Sequence, residues 1–400
     1  MPHTPVPPAL PKPLLLLMAV AIAATAANLY YNQPLLPEIR AEFGLDEGAV
    51  GLIPSATQLG YAAAILLISP LGDVMNRRQL IGMLSVLLTL ALLAVFVAPN
   101  FTVLIAAFIV VGMGANITQQ LLPIGASLSA PALKGATMGV LMTGLTVGIL
   151  LSRTISGTVA QAFGWRAVFL MAAGMAAAIG LLLRANLPDN KPKVSLPYPA
   201  LILSLLGLIR KHALLRESAL TGALWFAAFN ALWATLALHV TSSPFNYTVQ
   251  QAGLFGLVGL SGILGAKVAG RLVDRHGAGR IIALALGVTV SAFLVLAIWG
   301  DSLIGLIVGV VLLDLGVFGA QIPNQVRVFS IDPEAQSRMN AVYMLSYYLA
   351  AALGSALGVH MMSLGGWHAM VLFGLGLAVA GLVHHLIRQS LAARATARAT

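Results

Sequence analysis

The chain has 400 residues, of which 59% are hydrophobic and 8% are charged, and its formal net charge is +10. Because soluble domains carry roughly 25% charged residues, this composition excludes an ordinary soluble core and predicts a membrane protein. The chain has no cysteine, which excludes disulfides and thiolate sites, and its basic residues do not form the aromatic-interleaved patch of a nucleic-acid binder.

Twelve apolar runs are long enough to cross a bilayer, which takes roughly 20 residues. They cover 14–36, 48–70, 79–98, 101–127, 136–161, 165–186, 217–240, 250–272, 279–299, 302–325, 339–363 and 366–387. Ala24-Thr25-Ala26 imitates a signal-peptide cleavage site, but the first run is longer than the apolar core of a signal peptide. We therefore interpret it as a retained span.

The basic residues indicate the orientation of the spans. If both termini are cytoplasmic, only Arg40 and Arg166 of the 22 Lys and Arg lie outside, and Arg153 lies within a span. Because cytoplasmic loops are enriched in Lys and Arg, this distribution predicts an even number of spans with both termini cytoplasmic. It places the protein in the cell inner membrane as a multi-pass protein, and we expect a bacterial origin and a monomer.

The two halves of the chain repeat at an offset of 201 or 202 residues. SPLGDVMNRR (69–78) matches GRLVDRHGAGR (270–280), and Asn28 aligns with Asn230. The repeat predicts an all-α membrane protein whose twelve transmembrane helices form two six-helix bundles related by a pseudo-two-fold axis. The predicted domains are a tail (1–13), a first bundle (14–186), a linker with an amphipathic helix (187–215), a second bundle (216–388) and a tail (389–400).

With these motifs the chain resembles the major facilitator superfamily over nearly its full length. The loop after span 2 reads Ser69-Pro-Leu-Gly-Asp73-Val-Met-Asn-Arg77-Arg78, where the family commonly has G-x-L-A-D-R-x-G-R-R/K. A fuller copy, Gly270 to Arg280, follows span 8. The segments YYNQPLLPEI and LLSRTISG are similar to the sequences of arabinose-efflux-permease-like members of the drug/proton antiporter group.

Span 5 is similar to the antiporter motif of the family, in which small residues allow close helix packing. The positions that fit its spacing are Gly139, Gly148, Ser152, Arg153, Ser156 and Gly157. Arg153 replaces the usual proline, which weakens the transfer of the antiport role. The arginine that relatives carry on span 4 is absent here.

The resemblance implies a cavity lined by spans 1, 4, 7 and 10, and these spans carry polar and aromatic residues at helical spacing. With two tyrosines of span 11, the candidates are Asn28, Tyr31, Asn32, Asn116, Gln119, Gln120, Asn230, Trp233, Phe318, Gln321, Tyr343 and Tyr347. Each residue could instead serve only interhelical hydrogen bonding. Their coincidence on four spans favours a polar, aromatic-lined substrate cavity.

Asp314 and Arg153 are the candidates for proton coupling. Asp314 is the only acid that we place near mid-membrane, where desolvation would favour its neutral form and allow proton exchange. The alternative is a permanent structural partner. Arg153 would interact with Asp314 or with an anionic substrate group, or it would snorkel to the outer interface.

The loop motifs are predicted to form a cytoplasmic gate, with Asp73, Arg77, Arg78, Gly270, Asp274, Arg275, Gly277 and Arg280 as its residues. Positive-inside topology alone could explain the arginines but not the repeated aspartate.

The sequence therefore predicts a secondary transporter for a small-molecule substrate and protons, most simply proton-coupled efflux by antiport. It is not predicted to be an enzyme, and no cofactor or metal site is expected, since no phosphate-binding loop or nucleophile elbow is present. A proton-coupled uptake symporter or a uniporter on the same fold is the alternative, followed by a non-transporting membrane receptor.

Overall fold

The computed structural model describes residues 10–130, 133–189, 198–332 and 335–399, and within these ranges every regular element is a helix. Ten helical segments of this part of the chain are long and apolar enough to cross a membrane. One of them, Arg338–Leu391, contains a break at Gly365 and Gly366, and Lys12–Ala27 is a shorter apolar helix. The predicted all-α membrane fold is confirmed, and the arrangement is consistent with twelve spans.

The helices follow the predicted runs closely. They are α1 Lys12–Ala27, α2 Leu36–Phe43, α3 Leu52–Leu67, α4 Leu71–Val74, α5 Arg77–Phe96, α6 Phe101–Gly114, α7 Ile117–Leu128, α8 Lys134–Phe163, α9 Trp165–Asn186, α10 Tyr198–Lys211, α11 Ala213–Val240, α12 Val249–Gly259, α13 Ser261–His276, α14 Ala278–Trp299, α15 Leu303–Phe329 and α16 Gln336–Ala399.

Three predicted spans are interrupted near their middle. The first span stops at Ala27 and continues through turns and a 3₁₀ segment, Gln33–Leu35, into α2. Pro34 and Pro37 lack the backbone N–H groups that a continuous helix would use. The fourth span breaks between α6 and α7, and the eighth breaks at Leu260 between α12 and α13.

The two ends of the bundle differ in charge. One end, here called the basic end, carries Arg78, Arg184 and Arg388, and Arg78 donates to the Arg184 carbonyl at 2.8 Å. The other end, here called the opposite end, carries α2 and the loop around Thr241.

Helix α8 packs closely on α1 where Gly148 faces Ala23. A Cβ atom on Gly148 would collide with the backbone of Ala23, whereas a Cβ atom on Gly139 would meet nothing within 4 Å. These two glycines of the span 5 motif therefore differ. Gly148, unlike Gly139, is held at the contact with α1, because the backbones approach there too closely for any side chain.

Two contacts between the two halves of the chain lie toward the opposite end. A Cβ atom on Gly157 of α8 would lie 3.1 Å from the Cα atom of Gly253 in α12. Ser55 of α3 donates to the Ala352 carbonyl of α16 at 2.7 Å. Small residues thus let α8 meet α12, and α3 meet α16, across the predicted boundary between the bundles.

Helix α10 lies in the predicted linker, and Leu201, Leu205 and Leu208 form its buried face. Residues 190–197 of this linker and 1–9 of the predicted tail lie outside the described residues. The division into two bundles at 186 and 216 stays a prediction.

We expect Gly148→Leu to lower the stability of the folded protein by about 1–3 kcal/mol, because the added side chain forces α8 away from α1. The midpoint of thermal unfolding in detergent measures this loss. Gly139→Leu, on the same helix, is the matched control and should unfold near the wild-type temperature. Equal destabilisation by both substitutions would contradict the packing described here.

Candidate functional site

Arg153 lies inside the bundle rather than at its surface. Its residue is 2% exposed, so the alternative that it snorkels to the interface is wrong. Its Nε donates to Oε1 of Gln33 at 2.8 Å, and its Nη1 donates to the Ile149 carbonyl at 3.1 Å. Its Nη2 has no hydrogen-bond partner. A buried cation is therefore left with one unused pair of donors.

Three aromatic rings surround the guanidinium. Its central carbon lies 3.9 Å from the ring centroid of Trp233, 5.0 Å from that of Tyr30 and 6.0 Å from that of Phe229. The negative face of an aromatic ring attracts a cation, and this attraction strengthens when water is excluded. The rings partly replace the hydration that Arg153 loses.

Asp314 is fully buried on α15, and neither of its carboxyl oxygens has a hydrogen-bond partner. Arg153 acts on this carboxyl through its charge, and the indole Nε1 of Trp233 is close enough to act on it without meeting hydrogen-bond geometry. No direct ion pair joins Arg153 to Asp314. An ionised carboxylate in this position carries a desolvation penalty of several kcal/mol.

The break at the end of α12 gives Asp314 its space. A Cβ atom on Gly259 would lie 3.2 Å from a ring carbon of Trp233 and 3.5 Å from Oδ1 of Asp314. Helices α8, α11, α12 and α15 and the interrupted first span therefore meet at one point. The candidate site is defined by Arg153, Asp314, Trp233, Tyr30 and Gln33, and is here called the central site.

Two of the cavity candidates on the first span lie elsewhere. Asn28 and Tyr31 border a small cavity shared with Ala172 and Ala176 of α9. The two residues share a face, as their spacing predicts, but that face is turned toward α9 rather than toward the central site. The turn that follows α1 brings Tyr30 to Arg153 instead.

Most amide candidates of the first half form a network within that half. Asn32 donates to Thr57 at 2.9 Å, and Gln120 donates to Oδ1 of Asn116 at 3.1 Å. Asn116 also donates to Ser69 at 3.0 Å. Asn116 and Gln120 therefore contact the loop after α3 rather than the central site.

Gln119 does not contact the loop after α3. It is partly exposed and donates to the Tyr61 hydroxyl at 3.1 Å. The Tyr61 ring meets Tyr348 of the second half, with 4.4 Å between centroids. This contact joins α3 of the first half to α16 of the second half.

The candidates of the second half pack as aromatic and amide pairs. Tyr347 stacks on Phe226 at 3.6 Å, and the Tyr343 hydroxyl accepts from Asn324 at 3.3 Å. Phe318 meets Phe229 edge-on at 5.9 Å.

The remaining two candidates of this half are polar and differ in exposure. Asn230 donates to the Phe226 carbonyl at 2.9 Å, and Gln321 is partly exposed. The second half thus supplies Asp314 and Trp233 to the central site, while Phe229 lies beside the Arg153 guanidinium and Phe318 packs against Phe229.

Ion pairs and a hydrogen bond hold the first loop motif in place. Asp73 accepts from Arg77 at 2.5 Å, and Arg77 reaches Gln120 at 3.4 Å. Arg78 pairs with Asp189 at 3.3 Å. The loop is thus tied both to α7 and to the end of α9.

The second loop motif is more open. Gly270 has nothing within 4 Å of a Cβ position, and Gly277 has φ of 78° at the start of α14. Arg275 and Arg280 are exposed, and the side chain of Asp274 lies outside what the structure describes. The gate role of both motifs stays a prediction.

Two residues of the central site, Tyr30 and Gln33, were not predicted, and neither were the nearby aromatic residues Phe229, Tyr61 and Tyr348. The sequence signal for the first two is the run YYNQP, in which prolines follow closely enough to end a helix. The others are ordinary aromatic residues in apolar spans, and no pattern distinguishes them there.

We expect Gln120→Leu to lower the stability by about 1–3 kcal/mol, because it removes the hydrogen bonds that Gln120 makes with Asn116 and Arg77. Gln119→Leu is the adjacent control and should lower the stability by less, since Gln119 is partly exposed. Chemical denaturation in detergent compares the two. A larger loss for the Gln119 variant would contradict the assignment of Gln120 to the loop network.

Comparison with known proteins agrees with this architecture. A model of the Major Facilitator Superfamily matches residues 17–331. The chain is 36% identical over 370 residues to YgaY, an uncharacterized transporter of Escherichia coli O157:H7, and the match covers 92% of this chain and 94% of that protein.

Solved structures share the fold at low identity. The human organic anion transporter MFSD10 has a TM-score of 0.72 at 19% identity, over 93% of this chain and 98% of its own. A POT family transporter in complex with a thioalcohol-conjugated peptide has a TM-score of 0.76 at 14% identity, over 96% of each chain. Together with the sequence matches, these findings confirm the resemblance: the chain belongs to the Major Facilitator Superfamily of transporters.

Proposed function

We propose that this protein is a secondary active transporter that couples the movement of a small organic solute to protons. The observation that carries the proposal is a fully buried carboxyl, Asp314, whose two oxygens have no hydrogen-bond partner and which lies near the buried cation Arg153. Ionisable groups at membrane depth usually belong to a transport or proton pathway.

The environment of Asp314 supports proton exchange. Burial without hydrogen bonds disfavours the ionised carboxylate, whereas the positive charge of Arg153 favours it. The protonation of Asp314 therefore depends on how closely Arg153 and Trp233 approach it. A shift of Arg153 or Trp233 during transport would then change whether Asp314 holds a proton.

The packing supports alternating access to the central site. Helices α8 and α12 touch toward the opposite end through Gly157 and Gly253, while Gly139, toward the basic end, has open space around it. Partly exposed Gln119 and Gln321 lie on the same side as the open part of α8. We assign the basic end to the cytoplasm.

Two coupling modes are compatible with a proton site at Asp314. Resemblance to drug/proton antiporters favours efflux by antiport. The unused donors of Arg153 favour symport, because they provide a place for an anion beside the proton site. In both modes we place the protein in the cell inner membrane as a monomer with both termini cytoplasmic.

We expect Asp314→Asn and Arg153→Met to abolish proton-coupled transport. The first substitution removes the group that binds the proton, and the second removes the positive charge that favours release of the proton from Asp314. Purified protein in liposomes containing a pH-sensitive dye gives the measurement, with solute-induced proton flux as the signal. The solutes come from a thermal-shift screen at two pH values.

Asp46→Asn and Arg394→Met are the matched controls, since both side chains are exposed and distant from the central site. They should retain the wild-type flux. Full proton flux in both central variants would contradict the proposal, as would flux that is equally lost in the exposed controls.

A further inference from the structure

We propose that the transported solute is a small organic anion whose carboxylate binds between Arg153 and Gln33, and that it binds together with a proton on Asp314. This inference rests on the proposed function and names the substrate class of the same site. It follows from the unused donors, the aromatic walls and the charge balance of the central site.

The unused hydrogen-bond donors define the polar part of the ligand. Nη2 of Arg153 and Nε2 of Gln33 both lack partners, and both residues are almost completely buried. The bond from Arg153 Nε to Gln33 Oε1 holds the two side chains together at 2.8 Å and orients the amide. Two adjacent donors, one of them charged, match the two oxygens of a carboxylate.

The surroundings define the rest of the ligand. The rings of Tyr30, Phe229 and Trp233 lie within 6.0 Å of the guanidinium carbon, and Leu150 approaches from α8 beside Gly259. These groups offer apolar and aromatic contacts rather than further acceptors. A cationic solute would meet the like charge of Arg153, whereas an anion with an apolar or aromatic body fits both parts of the site.

The charge balance links the anion to the proton. The groups that face Asp314 are Arg153 from α8, Trp233 from α11 and Gly259 at the end of α12, and Tyr30 is the further titratable group near Arg153. While Asp314 is ionised, its charge offsets that of Arg153 and repels a second carboxylate. Once Asp314 holds a proton, Arg153 is free to neutralise the anion.

Proton and anion therefore increase each other's affinity, and linkage requires this effect to be reciprocal. Trp233 lies between the two sites, since its ring covers the Arg153 guanidinium and its Nε1 is near the Asp314 carboxyl. Ligands that bind together are carried together. The inference thus selects symport of an anion with a proton over antiport.

The test uses a panel matched in shape and differing in charge: benzoate, phenylacetate and cinnamate, their carboxamides, and benzylamine. Binding to the purified protein is measured by calorimetry at mildly alkaline and at acidic pH, both above the pH at which the carboxylates themselves protonate. We expect at least one carboxylate to bind about tenfold or more tightly than its carboxamide, because the amide leaves Arg153 uncompensated.

Acidification should raise carboxylate affinity by about tenfold or more, within the usual range of coupling between sites. Asp314→Asn should bind the carboxylate as wild type does at acidic pH, and should do so at both pH values. Arg153→Met should lose the preference for carboxylate over carboxamide. Arg153→Lys, which keeps the charge, should retain part of it, and unfolding curves without ligand show which variants are folded.

The inference is overturned if no carboxylate of the panel binds in an Arg153-dependent manner, or if benzylamine binds most tightly. It is also overturned if affinity falls on acidification, since that sign indicates competition between proton and solute. Proton-coupled transport of a neutral or cationic solute would then leave the proposed function standing. Arg153-dependent carboxylate binding without any pH dependence would instead contradict proton coupling at Asp314.

Discussion

The structure depends on keeping one guanidinium and one carboxyl inside a membrane protein without joining them directly. Arg153 uses Gln33, a helix carbonyl and three aromatic rings to offset the loss of water, yet one of its nitrogens stays unpartnered. Asp314 has no hydrogen-bond partner at all. Such an arrangement is costly unless the charges are altered or compensated during function. A proton for Asp314 and an anion for Arg153 together remove both costs.

The rest of the fold makes this arrangement possible. The interruption of the first span brings Tyr30 and Gln33 to Arg153, and the break at Leu260 leaves Gly259 beside Asp314. Non-helical backbone within a membrane is tolerated where it is buried in protein or lines a cavity, and transporters use such interruptions at their binding sites. Glycines at the α8–α12 contact bring Arg153 close to the second half.

The sequence predicted where the apolar helices lie and singled out the two buried charged residues, because apolar length and isolated charges are strong signals in a membrane protein. It predicted that Asn28 and Tyr31 share a face but not that this face is turned toward α9, because helix spacing does not fix helix rotation. It did not find Gln33 or Phe229, whose roles come from contacts between distant spans. Asn116 and Gln120 were recognised as polar, but their direction toward the Asp73–Arg77 loop depends on helix rotation, which a single sequence does not fix.

The central claim is that Asp314 takes up a proton when the solute binds. Infrared difference spectroscopy of the purified protein detects this event directly, because a protonated carboxyl has a carbonyl band that an ionised one lacks. With isotopically shifted benzoate, or with whichever carboxylate of the panel binds most tightly, the account predicts a new protein carbonyl band in the wild type and none in Asp314→Asn. An unchanged wild-type spectrum at saturating ligand, or the same band in the variant, would contradict it.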